Sequence, residues 1–138
     1  MKRAQTSVEL IAILSMVLGI FLVIYATNVS VMDSFSSVYK TEKMKTSLNE
    51  IAAASELVYQ QGQGAKTRVY IALPSGINGY TVAGQTINYS INMQGENRTF
   101  FKNLDFSVQG ELPANEGEYW VNVEAITGAV SFSLHNQT

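Results

Sequence analysis

The sequence predicts an α+β protein in which a long N-terminal helix, first apolar and then amphipathic, packs on a small C-terminal antiparallel β-sheet head. Two observations predict this class. Residues 10–32 carry no charge and residues 33–59 contain neither proline nor glycine, which is typical of a continuous helix. From Lys66 onward, apolar and polar residues alternate in short stretches separated by turn residues, as in β-strands. A chain of 138 residues has room for about one domain.

The first helical segment is apolar on all sides. With two exceptions, Ser15 and Gly19, residues 10–26 are apolar, and residues 10–32 are uncharged. A helix that crosses the hydrocarbon core needs about 20 such residues, whereas a cleavable secretory signal has an apolar core of about 7–15 residues. A domain this small could not bury such a helix on every side. The length therefore predicts membrane insertion, with the two basic N-terminal residues on the cytoplasmic side and the remainder outside.

The second helical segment, residues 33–60, is amphipathic. The serine-rich stretch 34–37 is the part of this segment that favours a helix least. The sequence is compatible there with both a kinked and a continuous helix. Gly62 and Gly64 are expected to end the helix, because glycine adopts the backbone conformations that terminate helices. One face of this segment is an apolar stripe. Such a stripe must lie on another apolar surface, and we expect the sheet head to supply that surface. The stripe consists of Met44, Leu48, Ile51, Ala52, Leu57 and Val58.

The alternating stretches of the C-terminal half predict a small antiparallel sheet. Turn residues at 84–85 and 127–128 indicate two hairpins, and a further turn is predicted near residues 102–103. The predicted strands are residues 67–73, 80–83, 86–91, 97–101, 104–108, 118–124 and 129–134.

Composition argues against several classes of function. The net charge of −2 provides no basic face for nucleic acid, and the absence of cysteine excludes disulfides, thiolate zinc sites and a cysteine nucleophile. The single histidine, His135, is expected to be a solvated tail residue. Residues 62–67 lack the spacing of a phosphate-binding loop, and the acidic residues lack the order of a calcium loop. We therefore expect no catalytic residues, no cofactor, no metal and no nucleic-acid partner.

The N-terminus resembles that of archaeal type IV pilins with a class III signal peptide. A short basic leader, residues 1–4, precedes Gln5-Thr6-Ser7-Val8-Glu9-Leu10 and the apolar helix. In this family a prepilin peptidase cuts just before the glutamine, which implies cleavage between Ala4 and Gln5. The resemblance thus implies a leader at 1–4, a mature helix at 5–61 and a β-rich head at 65–138. The implied processing motif consists of Gln5, Ser7, Glu9 and Leu10.

The resemblance also implies a function. The chain would be a structural subunit of a surface filament for adhesion or attachment, inserted in the membrane as a precursor and extracellular after assembly. Its partners would be copies of itself, the prepilin peptidase, and the pilus assembly platform with its ATPase. The alternative is a membrane-anchored extracellular binding module that does not polymerise. The implied filament core consists of Leu10, Ile13, Leu14, Val17, Leu18, Phe21, Leu22 and Ile24.

Glu9 has two interpretations. A carboxylate beside an apolar membrane segment is costly and is usually paired or functional. By analogy with type IV pilins, Glu9 would pair with the new α-amino group of Gln5 on a neighbouring subunit and set the register between subunits. Alternatively, Glu9 lies in the headgroup layer, where the positive end of the helix favours it.

Farther along, Ser15 and Gly19 have a small-xxx-small spacing that would let helices approach closely, although most apolar helices contain a few small residues.

Four Asn-x-Ser/Thr tripeptides mark candidate N-glycosylation sites. We expect Asn28 to remain unmodified, because it would lie in the filament core. The candidate acceptors are Asn88, Asn97 and Asn136.

Overall fold

The computed structural model describes residues 2–135, with side chains described for residues 7–135. The α+β fold is confirmed, since one long N-terminal helix precedes a set of strands on which it packs. The chain forms two compact units, an N-terminal unit (Met1–Ser36) and a C-terminal unit (Ser37–Thr138). The elements are α1 (Lys2–Gln61), β1 (Lys66–Leu73), β2 (Ile77–Ala83), β3 (Thr86–Met93), β4 (Glu96–Asn103), β5 (Ser107–Gly110), β6 (Gly117–Ile126) and β7 (Ala129–Leu134).

The bounds of α1 agree closely with the predicted helix. It begins at Lys2 rather than Gln5, so residues 2–4 of the predicted leader are also helical. Residues 34–37 are helical as well, and the Ser34 hydroxyl donates to the Ser30 carbonyl at 3.0 Å. At the other end, the amide of Gly62 donates to the Val58 carbonyl at 3.1 Å with a positive φ of 93°. Gly62 therefore ends the helix as predicted, in a conformation that glycine adopts without strain.

The strands form two sheets rather than one antiparallel sheet. The first has the order β1-β6-β7-β5 and the second the order β2-β3-β4. All pairs are antiparallel except β5 with β7, which is parallel. The predicted hairpins at 84–85 and 127–128 are confirmed by the β2–β3 and β6–β7 pairs.

The prediction of a turn near residues 102–103 between strands 97–101 and 104–108 is wrong. β4 continues to Asn103, and the amide of Leu104 then donates to the Gln85 carbonyl at 2.8 Å. Leu104 and Phe106 are buried, so this segment fills the core instead of pairing with β4. The next strand, β5, begins at Ser107 and joins the other sheet.

Gly110, the last residue of β5, permits the close approach of that strand to β7. Its φ is +110°, and a Cβ atom there would collide with the backbone carbonyl oxygen of Phe132. A residue with a side chain would therefore require the backbone of β5 or β7 to shift.

Both sheets and the second half of α1 enclose one core within the C-terminal unit. Ser47 on α1 donates to the Ala72 carbonyl of β1 at 2.7 Å, and Lys102 of β4 donates to Asn49 on α1 at 3.3 Å. The helix thus lies between two edge strands. The predicted apolar stripe is confirmed apart from Leu57, which is 49% exposed because it points away from the face that holds Val58. The helix contributes Met44, Leu48, Ile51, Ala52 and Val58 to the core.

Candidate membrane and assembly surface

The apolar residues at the start of α1 form an exposed surface. The helix includes a segment long and apolar enough to cross a membrane, and none of that segment is buried. Signal sequences and simple membrane anchors have the same property, so length and composition alone do not distinguish them from an assembly element. The residues implied as a filament core are 43–67% exposed: Leu10, Ile13, Leu14, Val17, Leu18, Phe21, Leu22 and Ile24.

Three polar side chains of this part of α1 are hydrogen-bonded within the helix itself. The Ser15 hydroxyl donates to the Ile11 carbonyl at 2.8 Å, and the Thr27 hydroxyl donates to the Ile24 carbonyl at 2.9 Å. The side-chain amide of Asn28 donates to the same Ile24 carbonyl at 2.8 Å. Because unsatisfied polar groups are costly in hydrocarbon, these internal bonds make the segment compatible with a lipid environment or a dry helix bundle.

Gly19 makes a shallow notch in the apolar surface. A Cβ atom placed on Gly19 would meet no neighbouring atom within 4 Å. Ser15 lies one turn earlier on the same face, and both residues are exposed. The small-xxx-small pair is therefore accessible to a second helix.

Glu9 is exposed on α1, at the start of the apolar surface. Among the side chains of residues 7–135, none forms an ion pair with the Glu9 carboxylate. Ser7 and Leu10, the other motif residues in this range, are exposed on the same helix. The side chains of Ala4 and Gln5 lie outside the described ones, and the pairing of Glu9 with a neighbouring subunit stays a prediction.

The candidate glycosylation sites have different surroundings. Asn28 is exposed on α1, while Asn88 is half-buried on the central strand of the second sheet. Asn97 is exposed, and its side-chain oxygen accepts hydrogen bonds from Asn78 at 2.7 Å and Asn92 at 3.2 Å. Asn136 lies outside the described residues.

A groove of about 620 Å³ between α1 and β1 was not predicted. Its walls include Tyr39, Lys43 and Glu50 from the helix and Tyr70 from the strand. The Tyr70 ring packs against Trp120, with 5.3 Å between ring centroids, and a hydrogen bond to Glu118 raises the pKa of the Tyr70 hydroxyl. The groove forms because β1 is an edge strand. The position of a strand within a sheet depends on pairing between distant segments, and local alternation of apolar and polar residues does not reveal it. The groove offers aromatic and charged groups to a ligand.

In comparisons with known proteins, no protein family, no curated protein and no solved structure matches this chain. The resemblance to pilins therefore rests on the residues of the N-terminal motif and the apolar helix that follows them.

Proposed function

We propose that this chain is the precursor of an archaeal type IV pilin-like subunit, which assembles into an extracellular filament for adhesion or surface attachment. The observation that carries the proposal is the position of Glu9, which follows Gln5 and Ser7 and precedes an exposed, uncharged apolar helix. A simple anchor needs no carboxylate at this position, and a charged group is costly wherever it enters the hydrocarbon. A filament subunit gains a specific contact from it.

Cleavage before Gln5 supplies the partner of that contact. The cut releases the leader and creates an α-amino group one helical turn before Glu9. When subunits pack side by side, the carboxylate of one pairs with the amine of the next. A charge-assisted hydrogen bond of this kind contributes about 1.5–3 kcal/mol, and only one axial offset between neighbours allows it. The pair thus sets the register of the filament.

Helix packing then holds the filament core together. Transfer of the apolar surface from lipid to a protein bundle changes its hydrophobic energy little, because both surroundings are apolar. Close van der Waals contact must therefore supply the stabilisation, and the accessible notch at Gly19 and Ser15 permits a close approach.

The proposal includes several partners and no catalytic activity. Copies of this chain form the filament, the prepilin peptidase removes the leader, and an assembly platform with its ATPase extracts subunits from the membrane. The C-terminal unit remains outside and is carried on the filament surface.

A second candidate function is that of an anchored extracellular binding module. The groove between α1 and β1, with its aromatic and charged walls, favours this alternative because it provides a site for a ligand. The two functions differ in one respect that is directly testable, since only the pilin requires Glu9 for assembly.

The test is the variant Glu9→Gln, which removes the charge and keeps the side-chain volume. We expect this variant to be inserted in the membrane at the native level but to form no filaments, because the lost contact recurs at every subunit. Filaments are scored by electron microscopy of sheared surface material, and membrane insertion by immunoblotting of the membrane fraction. The matched control is Glu56→Gln, which removes an exposed carboxylate elsewhere on α1 and should leave filaments unchanged. Native filament numbers with Glu9→Gln would overturn the pairing.

A further inference from the structure

The outer face of the second sheet brings two glycosylation motifs together. On β3, Ile87, Tyr89 and Ile91 are fully buried, so the alternate side chains face outward. The motif Asn88-Tyr89-Ser90 therefore places both its asparagine and its serine on the outer face. Pairing of β3 with β4 sets Ser90 opposite Thr99, the hydroxyl residue of the motif that begins at Asn97. The two motifs lie side by side on one surface.

This face is polar but uncharged. The charged residues of β4 alternate with its outward residues and therefore face the other side of the sheet. They are Glu96, Arg98 and Lys102. The outward residues of β3 are Thr86, Asn88, Ser90 and Asn92, and those of β4 are Asn97, Thr99, Phe101 and Asn103. Such a surface suits contact with neutral, hydroxyl-rich molecules better than contact with a charged partner.

Phe101 is the exception on this face. It is 66% exposed among polar neighbours, and its direct cross-strand partner is Asn88. Directly opposite residues have Cβ atoms about 4.5–5.5 Å apart, which is close enough for a group attached to Asn88 to cover the Phe101 ring. A pyranose ring presents C–H groups on its faces, and these pack well against an aromatic ring.

The side chain of Asn97 is held in an orientation that leaves its nitrogen available. Because Asn78 and Asn92 both donate to the Asn97 side-chain oxygen, at 2.7 and 3.2 Å, the oxygen is directed at them. N-glycosylation replaces one hydrogen on the nitrogen and leaves the oxygen free to accept, so both hydrogen bonds persist after modification.

We propose that Asn88 carries an N-linked glycan whose first sugar packs on Phe101, and that Asn97 is a second acceptor on the same face. The donor is an oligosaccharide linked to a lipid phosphate, used by a separate membrane glycosyltransferase. The Asn88 nitrogen forms a bond to C1 of the first sugar, the bond from C1 to the phosphate oxygen breaks, the lipid phosphate leaves with the electron pair, and the amide proton passes to a base of the transferase. The proposal requires the C-terminal unit to be outside the cell, as in the proposed function, but does not require polymerisation.

The first test is mass spectrometry of the protein purified from its native cells. Cleavage after glutamate yields peptide 57–96, which contains Asn88 as its one acceptor, and separates it from Asn97. We expect peptide 57–96 to carry a glycan at Asn88, and Ser90→Ala to abolish this modification. The matched control Ser90→Thr retains the motif and should retain the glycan. An unmodified Asn88 in the native protein would overturn the proposal. The N-terminal peptide of the same sample reports cleavage at Gln5, so failure of the glycan and failure of the pilin assignment are distinguishable.

A second test examines the packing on Phe101. In the glycosylated protein, Phe101→Thr should lower the midpoint of thermal unfolding by roughly 4 °C, because the first sugar loses its apolar support. In the Ser90→Ala background, which has no glycan at Asn88, the same substitution should have little effect on the midpoint. An equal shift in both backgrounds would show that Phe101 acts independently of the glycan and would overturn the packing.

Discussion

At the residue scale, Tyr89 places a polar hydroxyl in the core. Its ring is fully buried and packs on Tyr80, with 5.7 Å between ring centroids, while its hydroxyl donates to the Pro113 carbonyl at 3.0 Å. Burial raises the pKa of Tyr89 far above its ordinary value, since the charged form loses its hydration. The folded chain therefore keeps the Tyr89 hydroxyl protonated at pH values at which a solvated tyrosine loses its proton.

This interaction makes stability depend on pH in the alkaline range. Because the folded pKa is raised, the contribution of Tyr89 is fully present below about pH 10, where the unfolded tyrosine also keeps its proton. Above that pH the unfolded chain loses the proton and the folded chain does not, so the free energy of unfolding falls by up to about 1.4 kcal/mol per pH unit. Tyr89→Phe should cost about 0.5–1.5 kcal/mol at pH 7 and flatten the alkaline decline.

Urea unfolding of the detergent-solubilised chain, followed by the fluorescence of its single tryptophan, measures both effects of Tyr89→Phe. The matched control is Tyr119→Phe, which removes a half-exposed hydroxyl that donates to the Glu116 carbonyl at 3.3 Å and should cost less at pH 7. An alkaline decline that is equally steep in Tyr89→Phe and the native chain would contradict the assignment to Tyr89.

At the element scale, local pattern predicts the helix and the hairpins at 84–85 and 127–128, because each depends on neighbouring residues. The third hairpin, β3–β4 with its turn at Gln94 and Gly95, is not among the predictions. The glycines at 62 and 84 occupy turns at which φ is positive, and their positions in the sequence are direct signals. β5 was misassigned because it pairs with β7 in parallel, a contact between distant segments that leaves no local mark. The groove was missed for the same reason, whereas the apolar surface of residues 10–24 was evident from composition alone.

The dependence of the sheets on α1 yields a prediction at this scale. The helix supplies Met44, Leu48, Ile51 and Val58 to the core, and each buried side chain contributes about 1.5–3 kcal/mol. Their sum is comparable with the whole stability of a small domain, about 5–15 kcal/mol. A protein comprising residues 65–138 should therefore fail to fold, while residues 37–138 should fold as a soluble domain. Near-ultraviolet circular dichroism and thermal unfolding distinguish the two, and cooperative unfolding of 65–138 at the midpoint of 37–138 would contradict this account.

At the scale of the whole molecule, the two units differ in what they bury. The C-terminal unit contains a complete apolar core, whereas the described apolar side chains of the N-terminal unit are all exposed. An exposed apolar surface of this extent is typical of membrane or protein contact sites. The proposed function uses both in turn, first the membrane for the precursor and then neighbouring helices in the filament.

The most direct test of this account is the mass of the N-terminal peptide in protein sheared from the native cell surface. Mass is more informative than stepwise sequencing, because an exposed N-terminal Gln5 can cyclise and block the amine. We predict a sheared pool of chains that begin at Gln5 with a free amine, as expected for peptidase cleavage followed by assembly. Chains that begin at Met1 or Lys2 and remain in the membrane fraction would contradict it and would identify the protein as an anchored surface module.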